Sequence, residues 1–98
     1  MERLDEMLSS ADFVVGVLPK TSNTHHFFNA KFFAKMKTSA IFMNIGRGPT
    51  VKEVDLIDAL EQQKIAGAVL DVFEVEPLSQ QSPLWRMSNV LMTPHCAD

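Results

Sequence analysis

Short apolar runs, each followed at once by polar or turn-forming residues, alternate along the chain with stretches whose apolar positions recur every three or four residues. Leu4, Met7, Leu8 and Ala11 stand at the spacing that lines one face of a helix, which predicts a helix ending before Asp12. Phe13-Val14-Val15-Gly16-Val17-Leu18 is a continuous apolar run rich in β-branched residues. It predicts a strand buried on both faces and stopped by Pro19, because proline cannot donate to a ladder. Lys20 to Thr24 is polar and reads as a loop. Asn29 is placed to cap a second helix carrying Phe32, Phe33 and Met36, and Ala40-Ile41-Phe42-Met43 predicts another short buried strand. After the turn Asn44-Ile45-Gly46-Arg47-Gly48-Pro49, Thr50-Val51-Lys52-Glu53 has the spacing of a capping box. Val54, Ile57 and Leu60 continue an apolar stripe, so a third helix is predicted from that box to near Gln63. Ala66 to Val72 reads as a third buried strand, Ser82-Pro83 as a short helical turn with proline at its first position, and Asn89-Val90-Leu91-Met92 as a last strand.

The order helix, strand, helix, strand, helix, strand, turn, strand, with strands that are apolar rather than alternating, predicts a parallel α/β sheet with right-handed crossovers. Ligands of such sheets lie outside the carboxyl ends of the strands. That rule singles out Leu18-Pro19 through Thr24, Asn44 through Gly48, Asp71 through Pro77, and Thr93 through Asp98.

Composition narrows the class without changing this picture. Ninety-eight residues suffice for one domain and are too few for two, since independently folding domains run to roughly 100–150 residues. With 46% hydrophobic and 21% charged residues, the chain has the makeup of a domain with a core. Nine basic and twelve acidic residues leave a net charge of −3, and no basic run is dense enough to displace counterions from nucleic acid, which is therefore not an expected partner. The apolar runs fall far short of the roughly 20 residues needed to span a bilayer, and Met1-Glu2-Arg3-Leu4-Asp5 has no apolar signal region, so no membrane or export route is expected. The single cysteine, Cys96, cannot form an internal disulfide, which fits a reducing, cytoplasmic setting.

Each strand-end segment carries candidate chemistry. Arg47, between Gly46 and Gly48, either offers its planar fork to a carboxylate or phosphate where the backbone approaches a ligand, or is a solvated turn arginine. Asp71, Glu74 and Glu76 form either a functional carboxylate cluster or a solvated acidic loop, and His95 is either a general acid or an ordinary surface histidine. What favours the functional alternatives is that all of these residues follow strands on the same edge. A histidine paired with a carboxylate holds its proton more tightly and becomes a proton donor usable near neutral pH. An arginine beside it would fix a substrate carboxylate and polarise its carbonyl. This is the chemistry of 2-oxo acid reduction.

Four motifs carry a resemblance: Leu18-Pro19 with Thr24, Asn44-Ile45-Gly46-Arg47-Gly48, Leu70-Asp71-Val72-Phe73-Glu74-Val75-Glu76-Pro77, and Thr93-Pro94-His95-Cys96-Ala97. In this order they resemble the D-isomer-specific 2-hydroxyacid dehydrogenases of the glyoxylate/hydroxypyruvate reductase type, and the likeness runs essentially end to end. The Ser82-Pro83-Leu84-Trp85 turn is similar to the family as well. The resemblance implies a partial Rossmann-type, doubly wound parallel sheet, with helices flanking about four short strands. It implies an oxidoreductase that passes a hydride between NAD or NADP and the C2 carbon of a small 2-oxo or D-2-hydroxy acid, in a homodimeric parent enzyme. Carried over by position, Arg47 resembles the substrate-binding arginine, Glu76 the carboxylate that orients and charges the imidazole, and His95 the acid and base. Asp71 resembles the partner of the nicotinamide carboxamide. Leu18, Pro19, Thr24, Ile45 and Gly46, with Arg47 and His95, resemble the remaining cofactor contacts.

The family's G-x-G-x-x-G fingerprint is missing, because the four glycines at 16, 46, 48 and 67 never take that spacing, and so is the charged residue that would separate NAD from NADP. Residues 1–98 therefore read as the second half of a dinucleotide-binding domain, without its glycine-rich half and without a substrate domain. That gap also raises a non-enzymatic alternative, a cofactor-sensing or protein-binding module of the same fold. Pro49, where the family often has a small residue, stiffens the turn after the arginine, and Asp98 places a charge near the proposed site. No metal is expected: His25 and His26 are adjacent and should diverge, and Val72, Phe73 and Val75 read as strand continuation between the carboxylates that a hard cation would need. Cys96 has no separate base at triad spacing and reads as a small side chain, and Met36, Met43 and Met92 read as core filler.

Overall fold

The structure is a computed structural model that describes residues 2–19, 21–73 and 78–93. Four short strands form one sheet in the order β1-β2-β3-β4: β1 Phe13–Gly16, β2 Ile41–Asn44, β3 Gly67–Leu70 and β4 Val90–Met92. All three pairings are parallel, as the apolar strand pattern predicts. Helix α1 (Glu2–Ser10) precedes β1, α2 (Ala30–Ala34) links β1 to β2, and α3 (Glu53–Glu61) links β2 to β3. Single 3₁₀ turns at Gly48–Thr50 and Pro83–Arg86 complete the described chain.

Register sorts the strand side chains into two faces. Val14, Phe42, Ala68 and Val90 form one row, and Gly16, Asn44, Leu70 and Met92 the next row on the same face. That face carries the core: Phe42 is fully buried and packs its ring against Phe28 at 5.1 Å and Phe33 at 5.2 Å, with Phe32 at 6.3 Å. Near-perpendicular and tilted rings at these distances are the arrangement that aromatic quadrupoles favour. Phe32, Phe33 and Met36 come from α2 and its end, Leu56, Ala59 and Leu60 from α3, and Leu8 from α1.

The opposite face departs from the expectation of strands covered on both sides. Phe13, Val15 and Leu91 point to it and are 63%, 48% and 65% exposed. The physical reason is the layout: β1 and β4 are the two edge strands, and α2 and α3 lie together over the Phe42 face. The first helix likewise splits its predicted stripe, since Leu8 is buried while Met7 is exposed.

The starts of α2 and α3 differ in how far the local sequence decides them. Asn29 does cap α2, its Oδ1 accepting from the Phe32 amide at 3.2 Å. The Thr50 capping box does not form. Thr50 is buried and its hydroxyl donates to the Arg47 carbonyl at 2.6 Å, inside the 3₁₀ turn that Pro49 opens. Val51 then forms a parallel bridge with Phe28, so α3 cannot begin before Glu53. Its inward stripe is Leu56, Ala59 and Leu60, and Val54 faces solvent. Glu53 and Asp55 place negative charge in its first turn, where the helix dipole favours it.

Asp55 also reaches across to α2, and its Oδ2 accepts from the Ala30 amide at 2.8 Å. Replacing Asp55 by alanine leaves that first-turn donor of α2 without its carboxylate acceptor, and is expected to lower stability by about 1 kcal/mol. Urea unfolding monitored by circular dichroism should show this loss, while Asp58→Ala, which removes a solvent-exposed ion pair to Lys64, should change stability by less than about 0.5 kcal/mol.

Candidate active site

The register puts the last residues of all four strands in one row, Gly16 beside Asn44, Asn44 beside Leu70, and Leu70 beside Met92. The residues that follow leave the sheet side by side, at the edge where the sequence places its candidates. Pairing continues for one step: the Ile45 amide donates to the Gly16 carbonyl, the Asp71 amide to the Asn44 carbonyl, and the Thr93 amide to the Leu70 carbonyl.

Asn44 organises the middle of this edge. It is only 1% exposed, its Oδ1 accepts from the Gly46 amide at 3.2 Å, and its Nδ2 donates to the Arg47 carbonyl at 3.3 Å. A buried amide must find partners for its donor and its acceptor, and here the turn supplies both. The Arg47 carbonyl also accepts from the Thr50 hydroxyl and amide, which anchors the arginine's backbone and leaves its side chain exposed.

Gly46 owes its identity to the protein's own chain. A Cβ there would stand 2.8 Å from the Val17 carbonyl carbon and 2.9 Å from the Leu18 amide nitrogen and carbonyl oxygen. The glycine thus lets the loop after β2 lie directly on the chain leaving β1, and no described glycine needs a positive φ. In the loop after β1, Thr24 Oγ1 donates to the Pro19 carbonyl and lies within hydrogen-bond reach of the Thr21 hydroxyl. The two loops are zipped together beyond this point, with the His26 amide on the Pro49 carbonyl, the Phe28 amide on the Thr50 carbonyl, and the Lys52 amide on the Phe28 carbonyl. His25 and His26 do not diverge: His26 adopts φ 55°, and the two imidazoles stack with centroids 3.8 Å apart.

On the far side of Asn44, Asp71 is half-buried and its Oδ1 accepts from the Thr93 hydroxyl at 2.6 Å. β3 ends at Leu70, so Val72 and Phe73 do not continue the strand, and Phe73 turns into the core. Leu18, Pro19, Thr24, Ile45, Gly46, Arg47 and Asp71 therefore all lie beyond carboxyl ends of neighbouring strands. Glu74, Glu76 and Pro77 lie outside the described residues, as do His95, Cys96 and Asp98. Asn44 and Thr93 open segments that the sequence singles out but have no individual role there, and Thr50 is read there only as a helix cap. A polar side chain ending an apolar strand, as in Phe42-Met43-Asn44, is the signal that points to the buried, doubly bonded amide. A cleft of about 710 Å³ opens at the opposite, amino-terminal end of the strands, between Thr38, Gln63, Arg86 and Asn89, and contains none of the candidates.

Residues 1–97 match the family model of the D-isomer specific 2-hydroxyacid dehydrogenase, NAD binding domain. The chain belongs to this family. A probable 2-ketogluconate reductase from Dictyostelium discoideum is 58% identical over 92 residues, which make up 94% of this chain and 28% of that protein. The glyoxylate/hydroxypyruvate reductase B of Escherichia coli has the same identity and coverage. Among solved structures, a D-isomer specific 2-hydroxyacid dehydrogenase from Xanthobacter autotrophicus in complex with NADPH and MES superposes with a TM-score of 0.91 at 49% identity, covering 100% of this chain and 32% of that one. An NADPH-dependent glyoxylate/hydroxypyruvate reductase from Sinorhizobium meliloti gives 0.89 at 44% identity, with 99% and 40% covered. The chain of this 2-hydroxyacid dehydrogenase family member thus spans about 28% of the length of the curated relatives it matches. The fold is the Rossmann-type parallel sheet that the resemblance implies. No helix among the described residues is long and apolar enough to cross a membrane.

Proposed function

We propose that this chain is the second half of the cofactor domain of a cytoplasmic enzyme, homodimeric as a whole, that reduces a small 2-oxo acid to its D-2-hydroxy acid with NADH or NADPH. The observation that carries the reading is the row of strand ends, with Arg47 and Asp71 directly beyond it, in a member of a 2-hydroxyacid dehydrogenase family. The half-domain assignment rests on the face bearing Phe13, Val15 and Leu91. Apolar residues on that scale are normally covered, and the relatives have more than three times this length to cover them with.

The described residues fit the nicotinamide end of a dinucleotide: a carboxylate held between a backbone ladder and a hydroxyl is the acceptor that a carboxamide N–H needs. They do not supply the pyrophosphate end, since the glycine fingerprint is not in the sequence. When bound, the reduced cofactor supplies the hydride that C2 receives. Arg47 holds the substrate carboxylate with its planar fork and stabilises charge on the carbonyl oxygen. His95 gives its proton to that oxygen as the C–O double bond becomes single, and Glu76 orients the imidazole and favours its charged form. Asp71 receives the carboxamide of the nicotinamide. Leu18, Pro19, Thr24 and the Ile45–Gly46 backbone make the remaining contacts of this half with the cofactor.

The alternative reading is a cofactor-sensing or protein-binding module of the same fold, without turnover. Assay of the full-length polypeptide by NADH and NADPH absorbance, with glyoxylate, hydroxypyruvate and 2-ketogluconate, separates the two. Saturable, substrate-dependent oxidation of the cofactor is expected with at least one of these acids. Cofactor binding with no oxidation in the presence of any of them would select the sensing module.

A further inference from the structure

Thr93 and Asp71 meet across the β3–β4 edge. Both backbones are anchored where they meet, the Asp71 amide on the Asn44 carbonyl at 3.1 Å and the Thr93 amide on the Leu70 carbonyl at 3.2 Å. With the main chain held on both sides, the orientation of the carboxylate is decided at its side-chain torsions. There the Thr93 hydroxyl donates to Oδ1 at 2.6 Å, a short, charge-assisted bond. A β-branched residue is suited to this, because few rotamers are open to it and little freedom is lost when its hydroxyl is committed. Both side chains are half-buried, which shields the bond from competing water.

We infer that Thr93 is a positioning residue for the nicotinamide end of the cofactor, acting through Asp71. The inference rests on the cofactor reading above and adds to it. Thr93 turns the Asp71 carboxylate to the angle at which it receives the carboxamide, and thereby sets the rotation of the nicotinamide ring relative to the substrate. Its effect is confined to ligands that carry the carboxamide.

Calorimetric titration of the full-length protein with NADPH, NADH and ADP-ribose, which lacks the nicotinamide, tests this without relying on turnover. Thr93→Val keeps the shape and removes the donor. It is expected to weaken the preferred reduced cofactor by about tenfold and to leave ADP-ribose within about twofold, and Thr93→Ser is expected to restore most of the loss. Equal weakening of both ligands means a structural role and overturns the inference, as does unchanged binding of both. Asp71→Asn separates this failure from that of the underlying reading. If Asp71→Asn selectively weakens the reduced cofactor and Thr93→Val does not, only the role of Thr93 falls. If Asp71→Asn is not selective either, the placement of the carboxamide on Asp71 falls with it.

Discussion

With His95 replaced by glutamine, the full-length protein is expected to bind NAD(P)H with affinity changed only a few-fold while kcat for reduction of glyoxylate or hydroxypyruvate falls roughly 10²–10⁴-fold, the usual worth of a positioned general acid. Glutamine keeps hydrogen-bonding capacity near the carbonyl but has no proton to give as negative charge develops on the oxygen. The residual rate then comes from orientation and from the electrostatic pull of Arg47, so the variant should still turn over measurably above the uncatalysed reaction. The pH profile sharpens the test. The wild type should lose activity as pH rises through the pKa of its imidazolium, whereas the glutamine variant should show no such limb. An undiminished rate in the variant would remove His95 from the chemistry, and with it the role given to Glu76.

A second large effect is expected far from the chemistry. Phe42→Ala removes a fully buried ring that three other phenylalanines surround, at the centre of the covered face. Truncations of this kind cost about 3–5 kcal/mol, against a total stability of about 5–15 kcal/mol for a domain. The thermal midpoint, followed by circular dichroism, should therefore drop steeply, and Phe42→Leu should recover most of the difference because it refills much of the space. A Phe42→Ala protein that melted with the wild type would mean that the aromatic cluster closes over the cavity without penalty.

The parallel order of the elements was legible because each strand is a compact apolar run and each linking helix repeats at the helical period. In a parallel sheet the residues after each strand share one edge, so the strand pattern alone is enough to expect Arg47 and Asp71 beyond the ends of neighbouring strands, where the structure has them. What escaped was decided by contacts distant in the chain. Thr50 has the local pattern of a helix cap, but Phe28 pairs with Val51 and takes the segment into a bridge. Gly46 looks like a residue that opens space for a ligand, yet the atoms nearest to its missing side chain belong to Val17 and Leu18. The exposure of Phe13 and Val15 is equally invisible to periodicity, since an apolar run does not say which of its sides this chain covers. The stacking of His25 on His26 depends on a left-handed backbone at His26, which no neighbour-based rule anticipates.

The contact between the loops after β1 and β2 has a mechanical consequence. The Ile45 and Gly46 amides both donate to the Gly16 carbonyl, and further along Phe28 exchanges bonds with Thr50 and Lys52. Neither loop can breathe by itself: an opening that exposes one set of amides to solvent must break bonds held by the other. Thr24 and Arg47 therefore belong to one cooperative unit, and substitutions in the two loops should not be additive.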